Sequence, residues 1–147
     1  MTTDFEVSWA DWQVERESLV AVRYRVFVDE QQVPQEIELD EMDASCRHVK
    51  ALDAGGRCIG TARLLPNHFV GRMCVLRERR GQGVASAMMH FLIDHATREG
   101  FAWLRLNAQV SAIPFYQRFG FVADSAVFTE AGIDHRRMTL KLAEEQD

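Results

Sequence analysis

A chain of 147 residues, 47% of them hydrophobic, can bury about two-thirds of the surface its unfolded form exposes, and it reads as one domain over residues 1–147. With 22 acidic against 17 basic residues its formal net charge is −5, which argues against nucleic acid as a partner, because phosphates ask for a basic face. No apolar run approaches the roughly 20 residues that span a bilayer, and Met1 to Asp11 lacks the charged-then-apolar pattern of a secretory signal, so a cytoplasmic protein with no membrane partner is expected.

Phe5, Val7 and Trp9 alternate with polar neighbours and predict a first strand, after which Leu19, Val22 and Val26 recur at helical spacing to about Val28. From Asp29 to Asp43 there are seven carboxylates and no Lys or Arg. Pro34 interrupts any period there, so Gln31 to Asp43 reads as a loop or broken helix, either a solvated face or the mouth of a cleft that draws a cation. Cys46 to Asp53 and Arg57 to Leu65 flank Ala54-Gly55-Gly56, two β-prone runs about a glycine turn and hence a hairpin. Pro66-Asn67 stops the second run, and His68 to Val75 follows as a third antiparallel strand.

Val84 to Arg98 carries Ala85, Met88, Met89, Leu92, Ile93 and Ala96 on one stripe, with Gly100 as its stop, and is the clearest helix of the chain. Trp103 to Ala108 alternates again. Ile113, Tyr116 and Phe119 then give a short helix with Pro114 in its first turn and Gly120 at its end. The tail offers two more strands, about Phe121 to Phe128 and His135 to Leu142, joined by a loop containing Gly132. The order β-α-β-β-β-α-β-α-β-β, without repeats or linkers, gives a mixed α and β class, one curved sheet with helices on its faces. Cys46, Cys58 and Cys74 form no C-x-x-C, so reduced thiols are expected, with neither disulfide nor metal.

The most informative stretch runs from Met73-Cys74-Val75 through Arg77, Arg79 and Arg80 to Gly81-Gln82-Gly83-Val84-Ala85: strand, basic turn, two glycines, helix. The first N–H groups of a helix lack internal partners and sit at the positive end of its dipole, so phosphate oxygens are fitting ligands. Glycines let the backbone turn tightly and approach such a ligand, and arginines add charge-assisted hydrogen bonds. A bare turn is the plain alternative. A P-loop would need Lys-Ser or Lys-Thr where Val84-Ala85 stands, and a Rossmann fingerprint would need Gly or Ala where Ser86 stands.

Arg80-Gly81-Gln82-Gly83-Val84-Ala85 resembles the R/Q-x-x-G-x-G/A signature of the GCN5-related N-acetyltransferases (GNAT). Ala112-Ile113-Pro114-Phe115-Tyr116-Gln117-Arg118-Phe119-Gly120-Phe121 resembles the second hallmark of that family, a short helix carrying Phe-Tyr and closing in Gly-Phe. Val22 to Glu30 and Glu130 to His135 are similar to its ElaA-like branch. The resemblance implies a three-layer fold whose mostly antiparallel sheet splays between its fourth and fifth strands, with acetyl-CoA as cofactor. It further implies that the diphosphate lies on residues 80–85, and that the pantetheine arm pairs with Met73, Cys74 and Val75 as an added strand. Asn107 would reach the arm, Phe115 would lie beside it, and an N–H near Cys74 or Val75 would stabilise the developing oxyanion.

Tyr116 is then the expected general acid, protonating the departing thiolate, and packing against Ile113 and Phe119 is its plain alternative. The acceptor is expected to be a primary amine of a small molecule or a peptide. The base that deprotonates it is open among Glu30, Asp40, Glu41, His135 and water, because the strand that often carries a carboxylate in this family has none from Phe69 to Val75. A covalent route through Cys74 is the minor alternative, since a buried strand cysteine is usually inert. A non-catalytic acyl-CoA-binding module is the rival function. The oligomeric state is open, a homodimer included.

Overall fold

The structure, a computed structural model, describes residues 4–38 and 40–142 apart from the side chains of Glu36 and Ile37. The alternating opening forms β1 (Phe5–Ala10). Asp11 then accepts a hydrogen bond from the Gln13 amide and caps α1 (Trp12–Arg23). Where one regular helix to about Val28 was expected, Tyr24–Glu30 instead winds as π-helical turns, with the Gln31 amide reaching back to the Val26 carbonyl at 3.2 Å. The wider winding sets Val26, Phe27 and Gln31 along one wall of a cleft. The acidic stretch is a broken helix, as expected: α2 (Gln35–Glu38), then a 3-10 turn over Glu41–Ser45 capped by Asp40.

β2 (Arg47–Asp53), β3 (Cys58–Leu64) and β4 (Phe69–Val75) make the antiparallel meander that the glycine turn and Pro66-Asn67 predict. α3 (Val84–Arg98), β5 (Trp103–Gln109) and α4 (Ile113–Gln117) follow in the expected order. The tail departs from expectation. In place of one strand from Phe121 to Phe128 there are two short ones, β6 (Val122–Ala123) and β7 (Phe128–Glu130), and both pair with the long β8 (Ile133–Lys141). Ser125 Oγ accepts from the Arg137 amide at 2.8 Å, and the Asp124 carboxylate takes Arg137 Nε at 2.7 Å and Thr139 Oγ1 at 2.8 Å. These short polar side chains replace ladder bonds and bend the chain out of the sheet between β6 and β7.

The sheet runs β1-β2-β3-β4-β5-β8-β6, with β7 also on β8. Among the described residues its one parallel pair, β4 with β5, is in register only at Phe69–Arg105 and Val70–Leu106. Beyond Val70 the two strands part, as the splay predicts, and among the described residues no strand lies on the β5 side of β4 from Gly71 to Val75. A bulge lies at the same place: Thr61 pairs with Cys74 and Arg63 with Gly71, so Arg72 and Met73 together oppose Ala62, and Arg72 has φ +52°.

Helices cover both faces. Trp12 of α1 stacks on His48 at 4.3 Å between ring centroids, whereas Phe91 of α3 meets Trp9, which lies opposite Val49 in register. His48 and Val49 are consecutive strand residues and point to opposite faces, and so do the helices that cover them. α3 fills its side with Met88, Met89, Leu92 and Ala96, all 0% exposed. Gly60 permits that approach, since a Cβ there would stand 3.1 Å from both Met88 and Val84.

Candidate active site

The parting of β4 and β5 opens a cleft of about 600 Å³. Met73, Cys74 and Val75 of β4, Asn107 of β5, Phe115 and Tyr116 of α4, Arg80 ahead of α3 and Ala85 in its first turn all line it. Gly81, Gln82 and Gly83 form the turn next to it rather than its wall. Val84 is 2% exposed with its side chain in the core, so only its backbone can meet a ligand.

Gly81 and Gly83 sit at φ +78° and +86°, and an added Cβ would touch nothing within 4 Å at either. Glycine is required there for its left-handed backbone, not for space. Gly83 is the N-cap of α3, and no side chain of the described residues caps the helix, so its first-turn amides are open to an outside acceptor. That donor set fits a phosphate group, and the dipole of a 15-residue helix adds to it.

The arginine of the loop is already held. Arg80 Nε donates to the Val75 carbonyl at 3.1 Å, and its two terminal nitrogens clasp Glu30 at 2.8 Å each. A phosphate recruiting Arg80 must compete with that carboxylate. Arg79 is engaged in turn by Gln82 at 2.7 Å and Asp4 at 2.9 Å.

Within the cleft, Tyr116 is half-buried, with Phe115 and Phe121 edge-on at 5.1 and 6.1 Å between centroids. Burial pushes its phenol up to about 12, so it carries its proton at neutral pH. Cys74, 6% exposed, is likewise raised far above the usual thiol range, chiefly by burial, and is a neutral thiol. Asn107 is exposed at the end of β5, in register with Arg137.

The acidic segment is not the free attractor of cations that its composition suggested. Glu38 and Asp43 bind Arg23 at 3.0 and 2.9 Å, Asp40 and Asp43 bind Arg63 at 2.8 and 2.9 Å, and Arg72 reaches Glu38 at 2.9 Å and Asp40 at 3.2 Å. Three arginines thus neutralise three carboxylates, and Arg23, Glu38 and Asp43 are at most 4% exposed. The Arg63 guanidinium beside Asp40 holds that carboxyl at about 2. Asp40 is therefore a poor base, Glu30 is bound to Arg80, and Glu41 is exposed outside the cleft lining. Of the four side chains named as candidate bases, His135 is the one that lines the cleft.

Gln31 and Gln109 also line the cleft and bond reciprocally across it, Gln109 Nε2 to Gln31 Oε1 at 2.9 Å and Gln31 Nε2 to Gln109 Oε1 at 3.5 Å. Neither this pair nor Glu130 as part of the wall is marked in the sequence. No local pattern marks them, because the π-helical segment, β5 and the β7–β8 hairpin meet only in the folded chain.

Residues 13–142 match the family model of the acetyltransferase (GNAT) domain. The uncharacterized N-acetyltransferase YjcF of Bacillus subtilis is 38% identical over 121 residues, covering 80% of this chain and 86% of that protein. Among solved structures, a putative N-acetyltransferase from Lactobacillus plantarum superposes with TM-score 0.85 at 24% identity, covering 96% of this chain and 100% of that one. Escherichia coli ElaA does so with TM-score 0.81 at 26% identity, covering 92% and 98%. With the splayed sheet, the uncapped α3 and both sequence hallmarks in place, the chain belongs to the GNAT family of acetyltransferases and is an acyltransferase.

Proposed function

We propose that the protein is an N-acetyltransferase that moves the acetyl group of acetyl-CoA to a primary amine of a small molecule or peptide by direct attack, with Tyr116 as general acid. The observation that carries this reading is the open edge of β4. From Gly71 to Val75 the strand lacks a neighbour on one side among the described residues, and it runs directly into the basic turn, the two left-handed glycines and the uncapped start of α3.

In this reading the backbone of Gly81 to Gly83 and the first amides of α3 hold the diphosphate, while Arg80 exchanges Glu30 for it. Backbone groups of β4 between Met73 and Val75 that face its open side pair with the amide-bearing arm, and the Asn107 amide steadies it from β5. Acetyl-CoA supplies an activated acetyl carbon and a thiolate leaving group. Tyr116 holds a proton ready for that sulfur, and β4 amides face the oxygen on which charge develops. Cys74 remains a spectator, because a buried neutral thiol is a weak nucleophile.

Thiol release from acetyl-CoA, followed across a panel of primary amines, tests the reading. It predicts amine-dependent release in the wild type. If acetyl-CoA binds while no amine raises release above background, the chain is an acyl-CoA-binding module and the transferase reading is lost.

A further inference from the structure

A primary amine arrives protonated at pH 7 and must lose a proton before it attacks, so the transfer reaction needs an acceptor for that proton within the cleft. Among the described residues the ionisable side chains of the cleft wall are Arg63, Arg72, Arg80, Cys74, Tyr116, Glu130 and His135. The arginines are cations already matched by Asp40, Asp43, Glu38 and Glu30. Cys74 and Tyr116 keep their protons at neutral pH, both chiefly because burial raises them. Two groups remain, and both come from the hairpin of β7 and β8.

That hairpin turns through Ala131 and Gly132, both at positive φ (+53° and +76°), which pairs Glu130 with Ile133 and Phe128 with His135. The His135 ring is fixed by its surroundings. Nδ1 lies 2.7 Å from the Ile133 carbonyl, an oxygen that can only accept, so Nδ1 carries the hydrogen and the neutral ring presents the lone pair of Nε2. Phe128 stacks on it at 5.9 Å and 19°, and Gln109 lies opposite it on β5. The residue is 8% exposed, and none of the described residues bonds to Nε2. On β8 its charged neighbours turn elsewhere, Asp134 to Thr129 at 3.4 Å and Arg136 to the Ser125 carbonyl at 2.9 Å. Glu130 is exposed, with no hydrogen bond or ion pair to the described residues. Among the described residues it is the charge of the cleft wall that nothing neutralises.

We propose that His135 Nε2 takes the proton of the acceptor ammonium and that Glu130 anchors that ammonium, so that the acceptor is a cationic amine with no carboxylate beside its nitrogen; the proposal rests on the acetyl-transfer reading. His135 removes one proton from R–NH3⁺ and releases it to solvent. The nitrogen lone pair forms the new C–N bond while the C–S bond breaks. Tyr116 gives its proton to the sulfur and regains the second nitrogen proton through water. The net change is ammonium plus acetyl thioester to amide, thiol and one free proton.

His135→Asn tests this, because an asparagine amide can still donate to the Ile133 carbonyl while the Nε2 lone pair is gone. With 1,4-diaminobutane as acceptor, kcat at pH 7 should fall by about 10²-fold, with acetyl-CoA affinity and melting temperature unchanged. The deficit should shrink as the pH rises and solvent itself deprotonates the amine. An active wild type combined with a deficit that is absent, or constant with pH, overturns the proposal alone. A wild type that acetylates no amine overturns the transfer reading and this proposal with it. Nitrogen NMR of the imidazole in the full chain gives a readout independent of turnover: the Nδ1–H tautomer is expected, and an Nε2–H tautomer overturns the role of His135. Glu130→Gln should raise KM for 1,4-diaminobutane about threefold, as befits an exposed charge pair, and an unchanged KM removes the anchor.

Discussion

Burial keeps the Tyr116 phenol protonated, its pKa pushed up to about 12, and the same ring packs against Phe115 and Phe121. Tyr116→Phe keeps that packing and removes only the proton. It should lower kcat by about 10²-fold while the acetyl-CoA dissociation constant and the melting temperature stay put, and a kcat equal to wild type refutes the acid role. Arg80 invites a different test. Its clasp on Glu30 stands in the way of any phosphate, so Glu30→Gln should tighten acetyl-CoA binding by about threefold in calorimetry, and weaker binding would mean that the clasp prepares the site instead. That Tyr116, Arg80 and Asn107 line the cleft was legible in the sequence because they sit inside local patterns. The Glu30 partner of Arg80 lies 50 residues away, and no local pattern could announce it.

The turn from β4 into α3 was readable because its physics is local. Two glycines, a basic run and an apolar stripe specify a left-handed turn followed by a helix. Gly83→Val places a β-branched residue at φ +86° and should cost about 1–2 kcal/mol of stability while weakening acetyl-CoA binding at the start of α3. Denaturant titration and calorimetry check the two effects separately. Unaltered affinity would show that the turn does not hold the ligand. The π-helical Tyr24–Glu30 and the division of the tail into β6 and β7 were not legible. The first winds against the cleft wall, and the second depends on Ser125 and Asp124 reaching Arg137 and Thr139 on β8, contacts that periodicity does not encode.

Charge organises the whole molecule in a way that composition obscured. A run of seven carboxylates reads as a solvated or cation-seeking face, yet three of them close a network with Arg23, Arg63 and Arg72 between α1 and the sheet. Arg23→Met leaves buried carboxylates short of a partner and should lower the unfolding free energy by about 3–5 kcal/mol. Asp40 sets the pH response. Its folded pKa of about 2 lies below the roughly 3.9 of an unfolded aspartate, so its contribution is complete above the unfolded value and is lost as pH falls toward the folded one. Stability should therefore drop between about pH 4 and pH 2, and Asp40→Asn should flatten that part of the profile; an unchanged slope would assign the loss to other groups. The proposed turnover depends on the open edge of β4 and the uncapped α3 accepting one ligand together. Titration calorimetry with acetyl-CoA tests that most directly: saturable binding at one site per chain is predicted, and the absence of saturable binding to the folded protein would contradict it.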